Sequence, residues 1–211
     1  MKKIVFTIAL GLGLLTANAQ IQSLAGPRLG LVYISASPGS SFLNGDIRLE
    51  DTGDLPEDYN DIAKGALTTL YGWQWESRFA DGGDVTGIVE WIALVGGMEK
   101  GMFLPSISSM VGLRAVKGIE FALGPNLSLG GIAMVFAAGY NFKFGKLNVP
   151  VNIAYVPSMN KTYNHEVKYD YVELYDEDGN DIGYEVVTPK YSVIHPTGAR
   201  ISVMLGFNLS K

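Results

Sequence analysis

Much of the chain alternates between hydrophobic and polar residues with a period of two. The clearest example lies near the C-terminal end, where Ile201, Val203, Leu205 and Phe207 occupy every second position. Successive side chains of a β-strand point to opposite faces of its sheet, so this pattern predicts a strand with one hydrophobic and one polar face. Segments of this kind are predicted at residues 25–35, 68–79, 85–95, 102–115, 118–129, 131–144, 147–157 and 198–209.

The two faces of these segments carry different residue types. The charged residues all fall on the polar face: Arg28, Glu76, Arg78, Glu90, Arg114, Glu120, Lys143 and Arg200. Large aromatic residues fall on the hydrophobic face: Tyr33, Tyr71, Trp73, Trp75, Phe79, Phe121, Phe142, Phe144, Tyr155 and Phe207. We therefore expect eight strands whose charges face one way and whose aromatic rings face the other.

Two all-β architectures share this pattern. A soluble sandwich or calycin-like barrel turns its hydrophobic face inward, whereas an outer-membrane barrel turns it outward to lipid. Several of the aromatic residues lie near the strand ends, as expected for belts at the two membrane interfaces. Glycine and alanine are frequent on the polar face, where they leave room for inward charges in a narrow barrel. Both features favour the membrane barrel.

Composition excludes several other classes of protein. The chain has 211 residues, of which only 18% are charged and 26 are glycine. Beyond the N-terminal segment, no apolar run reaches the ~18 residues of a spanning helix. The net charge of -5 argues against nucleic acid as a partner. The chain has no cysteine, so it offers no disulfide framework and no thiolate metal site.

The N-terminus has the pattern of a secretory signal peptide. Lys2 and Lys3 precede an apolar stretch over residues 4–15, and Ala17 and Ala19 supply a small-residue cleavage site. We expect residues 1–19 to be removed after export and residues 20–211 to form one domain. Export and the lipid-facing barrel pattern together predict that the chain is in the outer membrane, with outer-membrane lipid as a partner.

The connections between the predicted strands differ strongly in length. The short ones follow strands 2, 4 and 6, whereas long ones cover residues 36–67 and 158–197. Periplasmic turns of membrane barrels are short, so the long connections are expected on the outer side. These two connections hold 15 of the 21 acidic residues. We interpret them as solvated loops, with binding of a cation or of a basic surface partner as the alternative.

Taken together, the pattern, the signal peptide and the topology resemble small eight-stranded outer-membrane proteins of the OmpX and OmpA-barrel kind. The resemblance covers the whole mature chain and implies an eight-stranded antiparallel up-and-down transmembrane β-barrel. It also implies the barrel-insertion machinery as a partner. Such chains usually end on an aromatic residue, whereas residues 209–211 follow Phe207 here. The function expected is a structural or surface-interaction role in the Gram-negative cell envelope.

The polar face suggests two uses for its charges. The strand charges comprise five basic and three acidic residues, and this basic excess of two is compatible with a small anion site. Unpaired charges in a narrow lumen are costly, so we favour ion pairs that plug the barrel. Pro105, Pro125 and Pro150 lie inside predicted strands and lack a ladder donor, and a bulge or local distortion is expected at Pro150.

The long second connection holds two further candidates. Residues 176–181 are rich in acid but lack the glycine and glutamate spacing of an EF-hand, so a turn between arms at 169–175 and 182–187 is preferred to a calcium site. His195 with Ser192 is a candidate pair for lipid-ester chemistry. No metal, cofactor or enzymatic activity is expected. The alternative function is lipid handling, as an outer-membrane acyl hydrolase or acyltransferase or as a soluble calycin-like carrier.

Overall fold

The computed structural model describes residues 24–48, 55, 59, 63–175, 178 and 181–209. The predicted signal peptide therefore lies outside the described residues. One helix, α1, covers Pro38–Asn44, and a short 3-10 helix covers Met98–Lys100. The strands are β1 (Leu24–Ile34), β2 (Ala66–Asp81), β3 (Val85–Gly96), β4 (Leu104–Ala115), β5 (Ile119–Ser128), β6 (Gly131–Phe144), β7 (Leu147–Val156), β8 (Asn160–His165), β9 (Lys168–Val172), β10 (Tyr184–Thr188), β11 (Tyr191–Pro196), β12 (Arg200–Gly206) and β13 (Asn208–Leu209).

Strands β1 to β7 with β12 and β13 form a closed antiparallel barrel. Each strand pairs with the next along the chain, and β12 pairs with both β7 and β1 to close the sheet. Strands β12 and β13 pair with β7 one after the other and together form the eighth strand of the barrel. The barrel is therefore eight-stranded and up-and-down. The predicted all-β fold, an eight-stranded antiparallel up-and-down barrel, is confirmed, and so are all eight predicted strand segments. Closure gives each of the eight wall strands a paired neighbour on both sides, so the sheet has no edge strand.

Two prolines interrupt the hydrogen-bonded ladders without shifting them. The pairing of β7 with β12 reaches Val151 and resumes with β13 at Asn148 in the same register. Pro150 lies between these two positions and has no N–H to donate. The β4–β5 pairing is interrupted in the same way opposite Pro125. The distortion expected at Pro150 is therefore a gap in the ladder, and the register shift occurs instead in β2, between Arg78 and Ala80.

The barrel interior has a polar half and an apolar half. Most of the charged and amide side chains lie toward the end where the short turns join β2 to β3, β4 to β5 and β6 to β7, whereas Arg200 and Asn126 lie toward the other end. The other half is filled by small and apolar residues: Ile92, Met110, Ala122, Ala133, Val135, Ala137, Ala154, Val156 and Met204. The alternation therefore places side chains correctly as inward or outward, but an inward position is not always polar.

The residues of the two long connections form a second compact unit, residues 34–66 and 158–199. Helix α1 begins with a capping box in which Ser37 and Ser40 exchange hydrogen bonds. Strand β9 pairs with β10, and Tyr175 bridges to Asp181, so the predicted hairpin is confirmed. Strands β8 and β11 form a second antiparallel pair that the sequence did not predict. Among the described residues, no helix is long and apolar enough to cross a membrane.

Candidate functional site: the charged barrel interior

Arg114 on β4 is the centre of the first buried ion cluster. Its Nη1 and Nη2 donate to the two carboxylate oxygens of Glu76, each at 2.5 Å. Its Nε donates to Oε1 of Glu120, also at 2.5 Å. All three side chains are at most 5% exposed. Glu120 is directly opposite Arg114 in the β4–β5 register, whereas Glu76 is on β2, on the far side of β3.

Arg28 on β1 is the centre of a second cluster, in which an amide links an arginine to a glutamate. Its Nε donates to Oε1 of Gln74 at 2.6 Å, and the Gln74 amide donates to Oε1 of Glu90, also at 2.6 Å. Its Nη1 donates to Oδ1 of Asn208 at 3.1 Å. Glu90 is directly opposite Glu76 in the β2–β3 register, an arrangement that is repulsive unless cations lie close by. The two arginines offset this repulsion: Arg114 pairs directly with Glu76, and Arg28 is linked to Glu90 through Gln74.

Five of the eight predicted lumen charges belong to these clusters, and three do not. Arg78 is half-buried, and its Nε has no hydrogen-bond partner among the described residues. Lys143 is exposed at the short-turn end. Arg200 lies toward the other end, where its Nη1 donates to the Ser128 hydroxyl at 3.0 Å. A single network of all eight charges is therefore not formed.

This distribution corrects the predicted basic excess of the lumen. The fully buried charges are two arginines, Arg28 and Arg114, and three glutamates, Glu76, Glu90 and Glu120. The buried set thus carries an excess of acid, which does not favour the anion site that a two-charge basic excess suggested. Among the fully buried polar atoms of these side chains, only Nη2 of Arg28 lacks a hydrogen-bond partner within the described residues. The arrangement suits a plug of paired charges better than a binding site.

Gly206 on β12 makes room for the second cluster. A Cβ built on this residue would overlap the guanidinium of Arg28. The expectation that small inward residues accommodate inward charges is therefore met at this position. The uncharged members, Gln74 and Asn208, were not singled out from the sequence, although both lie on the polar face of their alternating segments.

The outer wall of the barrel is hydrophobic on every strand. All ten predicted interface aromatics are exposed, from 38% at Phe207 to 65% at Phe144. On β6 the outward residues run from Ile132 to Phe144, about 40 Å along the strand. For a strand tilted by about 40° this is about 30 Å along the barrel axis, enough to cover the ~25 Å apolar band of a membrane barrel.

The turn between β3 and β4 is held by a carboxylate. Oε1 of Glu99 accepts from the Thr68 hydroxyl at 2.5 Å and from the Thr69 N–H at 3.2 Å, and Oε2 accepts from the Thr69 hydroxyl. The hydrogen bonds from Thr68 and Thr69 lower the pKa of Glu99 to about 2. The turn is therefore tied to the start of β2 by groups that need Glu99 to be ionised.

The candidate Ser–His pair is not assembled. Ser192 and His195 are three positions apart on β11, so their side chains lie on opposite faces of the strand. The Ser192 hydroxyl donates to Asn164, whereas His195 is buried with Nε2 at 2.8 Å from the Leu55 carbonyl oxygen. Of the calcium candidate, residues 176, 177, 179 and 180 lie outside the described residues. The described part of the chain contains no group of three or more metal-ligating side chains.

Comparisons with known proteins add no assignment. Protein-family models, curated proteins and solved structures were each compared with the chain, and none matches. The resemblance to small outer-membrane barrels is therefore confirmed at the level of the closed eight-stranded antiparallel fold alone.

Proposed function

We propose that the chain is an outer-membrane β-barrel protein with a structural or surface-interaction role and no enzymatic activity. One observation carries this proposal: the hydrophobic face of the barrel is outside, and five of the ionisable strand residues are fully buried inside. Each barrel strand from β1 to β7, and β12, presents at least two exposed large hydrophobic residues. Soluble monomers rarely expose a contiguous apolar patch larger than ~600 Å², whereas a lipid-facing barrel wall must be apolar all round.

The interior argues in the same direction. A soluble carrier of the calycin kind holds its ligand in an apolar lumen and turns its charges to water. Here Arg114, Glu76 and Glu120 are buried and paired inside the barrel, while Trp73 and Phe121 are on the outer surface. Lipid handling by an acyl hydrolase or acyltransferase has less support, because the pairing of Ser192 with His195 is not formed.

The connections suggest how the barrel is oriented. The three turns at one end are short, and we propose that they face the periplasm, as in other membrane barrels. The long connections would then lie on the cell surface. On one face of the β9–β10 hairpin, Tyr169 and Tyr171 accompany Glu185. Tyrosine is enriched in protein interfaces, so this hairpin is the part we propose for contact with a surface partner.

Spin labels at two neighbouring positions of β12 test the membrane placement. Leu205 points outward and Met204 is buried inside the barrel. In lipid vesicles we expect a label at 205 to be accessible to oxygen dissolved in the bilayer, and a label at 204 to be shielded. The folded protein should also migrate differently on gels before and after boiling. Equal accessibility at both positions to a water-soluble relaxation agent would rule out a lipid-facing wall.

The orientation is tested separately by trypsin treatment of intact cells. Lys168 and Lys190 are exposed residues of the second connection. We expect cleavage there in intact cells, while Lys117, in the short β4–β5 turn, is cut only after the cells are opened. Cleavage at Lys117 alone in intact cells would reverse the proposed orientation.

A further inference from the structure

The short-turn end of the barrel has a groove in its wall where two neighbouring strands end at different heights. Strand β5 begins at Ile119, which pairs with Tyr140, whereas β6 continues to Phe144. Beyond Asn141, whose N–H still donates to the Gly118 carbonyl, β6 is paired with β7 only. The groove beside this free edge has a volume of about 310 Å³, within the range of small-molecule sites. It is lined by the β4–β5 turn and by the end of β6.

The groove is basic. Lys117 of the turn and Lys143 of β6 both line it, and both are exposed. Within the part of the chain that the structure describes, neither ammonium group forms an ion pair. Glu120, the acid that follows this turn in the chain, is buried inside the barrel and paired with Arg114. Two positive charges therefore face the groove without a protein partner for either.

The free strand edge adds a backbone donor. The N–H of Asn141 donates to the Gly118 carbonyl at 2.7 Å across the mouth of the groove. Because alternate residues of a strand direct their N–H groups to the same edge, the N–H of Lys143 faces the groove as well. Ammonium groups and backbone N–H groups are the usual ligands of phosphate in proteins.

The remaining walls are aromatic and outward-facing. The rings of Tyr140 and Phe142 lie 4.7 Å apart and form one side of the groove, and Phe144 is beside them. These residues belong to the outer wall that we propose is in contact with lipid. A free phosphate ion has no apolar part that could pack against these rings, whereas a phospholipid has acyl chains close to its phosphate.

We propose that this groove binds an anionic phospholipid, with Lys117, Lys143 and the Lys143 N–H holding the phosphate and the rings of Tyr140 and Phe142 packing against an acyl chain. The inference rests on the proposed membrane placement. It goes beyond that placement because it names one lipid class and one site. Each lysine near a lipid phosphate contributes about a fivefold preference, so both together give roughly 25-fold.

Native mass spectrometry of the folded protein in detergent micelles tests the site. The protein is titrated with phosphatidylglycerol, with phosphatidylcholine and with inorganic phosphate. We expect one phosphatidylglycerol to bind in preference to phosphatidylcholine, and roughly a 25-fold loss of that preference in the double variant Lys117→Gln, Lys143→Gln. The matched control, Lys168→Gln with Lys190→Gln, removes the same charge from the second connection and should retain the preference.

Each contrary result has a distinct meaning. Equal binding of both lipids, an unchanged double variant or an equal loss in the control overturns the lipid site and leaves the membrane placement intact. Displacement of phosphatidylglycerol by inorganic phosphate at equal concentration assigns the groove to free phosphate and overturns the lipid assignment. If the protein also fails to insert into vesicles and shows no heat-dependent gel shift, the proposed function fails with it.

Discussion

Replacing Arg114 with methionine tests whether the paired charges hold the barrel together. The change keeps most of the side-chain volume but removes the donors of three hydrogen bonds, each 2.5 Å long. The carboxylates of Glu76 and Glu120 stay behind, with side chains 0% and 4% exposed. They then lack their cation in a place that water does not reach.

The magnitude follows from that burial. Removing one partner of a buried ion pair costs about 3–5 kcal/mol, because the remaining charge stays desolvated. Typical domains are stable by only about 5–15 kcal/mol, so the variant is expected to lose a large fraction of its stability. Lys168→Met is the matched control: it removes a positive charge from an exposed position of the same chain, away from the buried clusters, and its effect should stay within about 0.5 kcal/mol.

The stability of both variants is measured by urea unfolding in lipid vesicles. Unfolding is followed by tryptophan fluorescence and by the gel shift. Adding Glu76→Gln and Glu120→Gln to the Arg114 variant should recover part of the loss, because neutral amides leave no buried charge behind. If the Arg114 variant and the Lys168 control unfold at the same urea concentration, the interior is hydrated and the plug described above does not exist.

Three further changes probe the wall, the packing and the β3–β4 turn. Leu123→Arg, at the middle of the outer wall, should lower the free energy of unfolding in a bilayer by about 2–4 kcal/mol. Leu129→Arg, at the strand end, should lower it by at most about 1 kcal/mol in the same urea titration. Equally small effects would indicate that the wall is in water. Gly206→Val should displace Arg28 and lower the unfolding midpoint, whereas an unchanged midpoint would show that the guanidinium has room to move. The pKa of Glu99 is depressed to about 2, so its contribution to stability is present above its unfolded pKa near 4.5 and is lost as the pH falls toward 2. Glu99→Gln should therefore make the urea midpoint depend less on pH between these two values. An identical pH profile in both proteins would contradict the hydrogen bonds to the turn.

Local periodicity was sufficient to predict the barrel wall. The alternation at Leu205 and Met204 is a property of extended backbone, and it needs no knowledge of the neighbouring strands. Five of the eight predicted charges are buried inside and all ten predicted aromatics are exposed, and the bounds of the eight segments differ little from the strands observed. The hairpin of β9 and β10 was predictable for the same reason, since an acid- and glycine-rich turn separates its alternating arms.

The partners inside the barrel were not predictable in this way. Arg114 reaches past β3 to Glu76, and Arg28 joins Asn208, 180 positions away in the chain. Such contacts depend on strand stagger and on the narrow diameter of the closed barrel, which are properties of the whole sheet. For the same reason the sequence did not separate Lys143, at the mouth, from the buried charges. The sequence by itself determined which way each strand residue points, and only the closed barrel decided which inward residues meet.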